Sequence, residues 1–100
     1  MSLPIRTVSP ATRELTEAVT WYESKHRGLG AELLDEVART ISHLQANPES
    51  GVALSFDQNT RRLLVPRFPY QVVYRVRPHE IVIVALAHSK RRPGYWTNRA

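Results

Sequence analysis

The chain has 100 residues, 42% of them hydrophobic, with no cysteine and a formal charge of +5. That length supports one compact domain over residues 1–100 without a stabilising metal or disulfide, and the missing cysteines exclude a thiolate metal site. No apolar run approaches the ~20 residues that span a bilayer, and Met1 to Arg6 does not read as a signal peptide, so a cytoplasmic protein with no membrane partner is expected.

Residues 3–8 read as a short strand, which Pro4 confines to a sheet edge. Ser9-Pro10 marks a helix start, with serine as cap and proline in the first turn. Ala11, Leu15, Ala18, Val19 and Tyr22 recur at helical spacing, while Arg13, Glu14, Glu17 and Glu23 fall mostly on other faces. Trp21 and Tyr22 read as core or hairpin-interface residues. Gly28-Leu29-Gly30 turns the chain into a second helix over about 30–46, burying Leu33, Leu34, Val37, Ile41 and Leu44. Asn47-Pro48 stops it. The short connection makes an antiparallel helix hairpin.

Residues 48–59 read as a mobile loop that Val52, Leu54 and Phe56 can pin down. Three strands follow, Arg61–Val65, Tyr70–Arg77 and Glu80–His88, joined too tightly for parallel crossovers. The expected fold is α+β in the order β-α-α-β-β-β, with the hairpin on one face of a small antiparallel sheet.

If Arg77 pairs with Glu80, Arg75 lies opposite Val82 and Val73 opposite Val84. Tyr70, Val72, Tyr74, Val76, Ile81, Ile83, Ala85 and Ala87 then form the helix-covered face. Arg62, Arg75 and His88 would share the other face, a grouping that a one-residue register slip would break. Either Tyr95-Trp96, the 48–59 loop or a partner protein would cover the apolar part of that face.

Charge is uneven. Residues 1–50 hold five Lys/Arg against seven Asp/Glu, and residues 51–100 hold nine against two. A basic C-terminal half favours nucleic acid or an acidic protein segment, although many small basic proteins bind no polyanion. His88 has the chemistry of a general acid or base, or of a strand-end histidine bonded to backbone. Arg62 and Arg75 suit a phosphate fork, or pairing with helix carboxylates. Lys90, Arg91 and Arg92 suit phosphate or an acidic protein, or simply a solvated tail. Tyr95 and Trp96 suit base stacking, proton transfer by the phenol, or packing back on the sheet. His26, His43 and His79 lack ligand-like spacing, so no metal is expected. No phosphate-binding or dinucleotide glycine motif is present, and no cofactor is expected.

Several segments together carry a resemblance. They are Ala18-Val19-Thr20-Trp21-Tyr22, Gly28-Leu29-Gly30, Leu44 to Pro48, Phe68-Pro69-Tyr70-Gln71-Val72-Val73-Tyr74-Arg75-Val76, and Ala87-His88 through Tyr95-Trp96. In this order and spacing they resemble the RelE/ParE superfamily of toxins from bacterial type II toxin–antitoxin modules, often called plasmid-stabilisation proteins. The resemblance covers nearly the whole chain. It implies a growth-inhibiting toxin neutralised by a cognate antitoxin that wraps an acidic segment around it.

Members similar to RelE cleave messenger RNA on the ribosome, and members similar to ParE inhibit DNA gyrase without cleaving RNA. Arg62, Arg75, His88 and Tyr95 match the general placement of the ribonuclease residues and would be catalytic in a metal-independent endoribonuclease. The resemblance also leaves room for an inactive, toxin-like binding module. Arg77, Lys90, Arg91, Arg92 and Trp96 are the expected target- or antitoxin-binding residues. The chain departs from the ribonuclease pattern: Lys25 and Lys90 are its only lysines, and its strands from 61 to 77 hold no carboxylate. The Arg91-Arg92-Pro93-Gly94-Tyr95-Trp96 ending looks closer to ParE, which makes a gyrase inhibitor the leading expectation and an mRNA interferase the alternative.

Overall fold

The structure, a computed structural model, describes residues 2–99. Its elements are β1 (Ile5–Thr7), α1 (Ser9–Lys25), α2 (Leu29–Ala46), β2 (Val52–Leu54), β3 (Asp57–Leu64), β4 (Tyr70–Val76) and β5 (Ile81–His88). One sheet runs in the order β1-β5-β4-β3-β2. The last four strands are antiparallel, and β1 joins β5 in parallel, so the sheet is mixed. Parallel pairing at that edge needs a crossover, which the helix hairpin supplies.

The helices start and meet differently from the sequence expectation. Val8, not Ser9, caps α1, and its carbonyl takes the Ala11 and Thr12 amides at 3.0 and 3.1 Å. Gly28 adopts φ 91°, a left-handed turn that leads into α2. The Glu23 carboxylate, projecting from α1, accepts the Gly28 and Gly30 amides at 3.0–3.1 Å. These N–H groups have no partner inside α2, so one helix caps the other. Gly30 permits the close approach: a Cβ there would stand 2.6 Å from the Val19 carbonyl oxygen.

Leu33, Val37 and Leu44 enter the core as expected, but Leu34 is exposed. Trp21 is also exposed, at 55%, whereas Tyr22 packs edge-on against Phe68 and Tyr70. In α1 the buried stripe is Ala11 and Ala18, with Glu14 and Leu15 half-buried between them.

Residues 48–59 form structure rather than a mobile loop. β2 pairs with β3, placing Val52 opposite Arg62, with a bulge after Ala53. The preceding turn is held from the core. Gly51 N–H donates to the Tyr74 hydroxyl at 2.9 Å, and that hydroxyl donates to the Pro48 carbonyl at 2.8 Å. Tyr74→Phe would orphan a buried amide, so a loss of about 1–3 kcal/mol is expected. Urea unfolding should show a lower midpoint with an unchanged slope.

Arg77 N–H donates to Glu80 O at 2.9 Å, and Arg75 lies opposite Val82, as the sequence suggests. Beyond that point the register shifts. A bulge between Val73 and Tyr74 pairs Tyr74 with Ile83 and Val73 with Ala85, not Val84. Leu86 then pairs with Val72 and His88 with Tyr70. Those strand positions face the helices, because Tyr70 touches Tyr22 and Val72 lies with Ile83 beside Leu15 and Val37. The far face carries Thr60, Arg62, Gln71, Val73 and Arg75.

Candidate functional site

The register shift divides the four expected catalytic residues. Arg62 and Arg75 stay on the far face, as expected, but His88 moves to the helix side. The bulge inserts one residue into β5, and every side chain after it changes face.

On the far face each nitrogen of the Arg75 guanidinium donates to a protein oxygen. Its Nε donates to the Thr60 hydroxyl at 3.0 Å, and its two terminal nitrogens donate to the carbonyls of Arg99 and Thr97. Thr60, itself fully buried, donates to Asp57 Oδ2 at 2.6 Å. That bond, followed by the Asn59 amide, holds the Asp57 carboxyl below its ordinary range. Arg75 therefore clamps the C-terminal segment over the sheet. Trp96 in that segment is only 1% exposed and supplies the expected aromatic cover. Its indole is thus a core group rather than the recognition residue the sequence suggested. Arg62 is less committed, with one bond of 3.3 Å to Gln71 Oε1.

On the helix side, a groove of about 360 Å³ brings His88 and Tyr95 together with Glu14, Glu17, Trp21 and Tyr70. The His88 ring meets Tyr70 edge-on at 5.1 Å, and its Nδ1 accepts the Lys90 amide at 3.1 Å. This contact uses the Nδ1 lone pair and puts the proton of the neutral ring on Nε2. His88 in this form can donate to a ligand but has no free lone pair with which to act as a base.

Tyr95 lies between two cations, with the Arg91 guanidinium 3.7 Å and that of Arg99 5.0 Å from its ring centre. Its hydroxyl is buried with no hydrogen-bond partner. Burial, and then the neighbouring Glu14 carboxylate, push the phenol up to about 12. Tyr70 is raised too, first by burial and then by Tyr22. Below pH ~10 neither folded nor unfolded Tyr95 ionises. Between there and about 12 only the unfolded phenol loses its proton, so stability should fall as pH rises through this window. Phenolate absorbance should show Tyr95 ionising late, and early ionisation would contradict the buried placement.

The groove also holds residues that sequence reasoning missed. Glu14 accepts Arg99 in a two-point pair at 2.9 and 3.2 Å, and also the Leu86 amide at 3.1 Å. Arg99 donates to the Val84 carbonyl at 3.0 Å. Because β1 pairs with β5 only through Ile83, the edge of β5 beyond it would otherwise be bare. Glu14 and Arg99 together close it. The available signal was position: Glu14 falls inside the Ala11–Leu15–Ala18 stripe.

Of the expected binding residues, Lys90, Arg91 and Arg92 are exposed in the segment after β5, with Arg91 also 3.7 Å from Glu14. Arg77 is exposed at the far end of the sheet, in the β4–β5 turn. The Glu80 carboxyl is held low first by its hydrogen bond from Arg6, then by the charge of Arg6 and last by that of Arg77. Among the described residues no group of three His, Asp or Glu side chains is placed to hold a metal ion. No helix among them is long and apolar enough to cross a membrane.

The described chain is thus a helix hairpin on a mixed sheet, with a basic segment after β5 and residues 96–99 strapped across the sheet. The family model described as ParE toxin of type II toxin-antitoxin system, parDE, matches residues 5–93, and the chain belongs to that family. Among solved structures, one titled "Chromosomal ParDE TA system from P. aeruginosa" is similar, with a TM-score of 0.75 and 19% identity. The match covers 89% of this chain and 98% of that one, and at this identity it speaks to the fold. Comparison with curated proteins gave no match. The chain is thus a ParE-like toxin of the type II class, whose system implies an antitoxin partner.

Proposed function

We propose that this toxin arrests growth in the cytoplasm by binding DNA gyrase, without chemistry of its own, until a cognate antitoxin holds it. The observation that carries this reading is the state of the proton-transfer groups. His88 has its Nδ1 lone pair on the Lys90 amide, and Tyr95 is raised to about 12, far from a working pKa near neutrality. The arginines that would steady a phosphate lie on the other side of the sheet, and Arg75 already donates to three protein oxygens. A surface that binds needs none of these groups to titrate. The exposed Lys90–Arg92 run beside the Trp21 groove supplies contact area and positive charge for a large partner.

Expression in a bacterial host tests the reading. Growth arrest with accumulating DNA breaks is expected, reversed by co-expressing the antitoxin and retained in His88→Ala. Arrest accompanied by loss of messenger RNA, and abolished by His88→Ala, would favour the ribonuclease alternative.

A further inference from the structure

Many of the chain's cations are matched by acids. Arg6 pairs with Glu80, Arg39 with Asp35, Arg67 with Glu32 and Glu36, and both Arg91 and Arg99 with Glu14. Arg62, Lys90 and Arg92 pair with no carboxylate among the described residues. The fold gathers these three. Arg62 from β3, Gln71 from β4, and Ser89 and Pro93 after β5 line a groove of about 520 Å³ on the far face. Lys90 and Arg92 stand exposed in the turn between Ser89 and Pro93. Arg13 and Arg27 also lack a carboxylate, but they lie at opposite ends of α1.

The groove selects an anion. No Asp or Glu lines it, and Asp57 of β3 is held by the Thr60 hydroxyl and the Asn59 amide. Arg62 makes one bond, of 3.3 Å, to Gln71 Oε1, which leaves the Gln71 amide nitrogen to donate elsewhere. Ser55 and Ser89 add hydroxyl donors. Three uncompensated cations side by side call for a ligand whose negative charge repeats. A second copy of this chain would bring like charges together. The proposed target, a topoisomerase, holds such a ligand in its DNA.

We propose that Arg62 and the Lys90–Arg92 turn bind the phosphate backbone of duplex DNA, so that the toxin grips the DNA held by its target as well as the target. The groove donors take one phosphate, and Lys90 and Arg92 take its neighbours. The bare wall of Val52 and Phe56, 62% and 56% exposed, meets the hydrocarbon of the sugars. This rests on the gyrase reading for the source of the DNA, and it adds the ligand and the surface.

The test follows the anisotropy of a labelled mixed-sequence duplex titrated with the full chain across a salt series. The slope of log affinity against log salt should be about −2.7, because each neutralised phosphate contributes about −0.9. Arg62→Ala should weaken binding by about threefold or more and make the slope shallower by about 1, whereas Arg62→Lys keeps most of both. Lys90→Ala and Arg92→Ala together should weaken it by about tenfold. Arg13→Ala and Arg27→Ala together remove the same charge from the helix side and should change affinity less than about twofold. An equal loss from that pair would mean that binding follows net charge alone, and would overturn the site. Tighter binding of a polyglutamate of matched charge would overturn it too, by assigning the surface to an acidic protein. Supercoiling inhibition by a chain that binds no duplex would sink the inference and leave the gyrase reading standing. Duplex binding of the expected pattern without gyrase inhibition would uphold the surface and remove that reading.

Discussion

Replacing Trp96 with alanine is expected to cost about 3–5 kcal/mol, the largest effect of any single truncation in the chain. The indole is 1% exposed and meets Tyr95 edge-on at 5.0 Å. It belongs to the buried core and borders Arg62 and Gln71 on the far face of the sheet. Removing it leaves a cavity under a segment of turns that cannot collapse into the gap as a helix could. The segment would also release the Arg75 guanidinium, whose acceptors are the carbonyls of Thr97 and Arg99. For a domain of this size the melting temperature should fall by more than about 12 °C. Trp96→Phe should recover part of the loss. If Trp96→Ala melts within a few degrees of the unsubstituted chain, the tail does not cover the sheet.

Glu14→Ala is the second. It strips the two-point partner from Arg99 and the acceptor from the Leu86 amide. The Glu14 and Arg99 side chains are 14% and 19% exposed, so the pair is mostly removed from water. Breaking such a pair strands a charge, and a cost of about 2–4 kcal/mol is expected after allowing for the residual exposure. Arg99→Ala should cost less, because Glu14 keeps the Leu86 amide and Arg91 at 3.7 Å. A double-mutant cycle should show coupling above about 1 kcal/mol. Additive losses would mean that the pair does not close the β5 edge.

How much of this was readable in the sequence depended on how strongly each segment constrains its own geometry. The helix hairpin was, because the apolar residues of α1 and α2 recur at helical spacing and Gly28 and Pro48 punctuate them. The Arg62–Val73 and Arg75–Val82 pairings were too, since the short turns fix them. The bulge at Val73/Tyr74 was not. A strand buried on both faces has no polar alternation to reveal where the register slips. His88 therefore landed on the wrong face, and an active edge of Arg62, Arg75 and His88 dissolved. The β2–β3 hairpin was hidden by the polar run Asp57-Gln58-Asn59-Thr60, whose order comes from Thr60 and Arg75 bonding across the sheet. The Glu14–Arg99 pair spans 85 residues and leaves no local pattern beyond a carboxylate on an apolar stripe.

For the site, the residue types were legible and their states were not. His88 and Tyr95 suggest acid–base chemistry as letters. The Lys90 amide on His88 Nδ1 and the buried, unpartnered Tyr95 hydroxyl are visible only in the fold. A basic C-terminal half was readable directly, but which cations remain available depends on Thr97, Arg99 and Gln71 as partners.

The most direct measurement assays the purified chain side by side in gyrase supercoiling and in transcript cleavage on programmed ribosomes. Supercoiling is expected to be inhibited while transcripts stay whole, with His88→Ala behaving like the unsubstituted chain. Transcript cuts that His88→Ala or Arg75→Ala abolishes, with gyrase unaffected, would contradict a toxin that acts by binding alone.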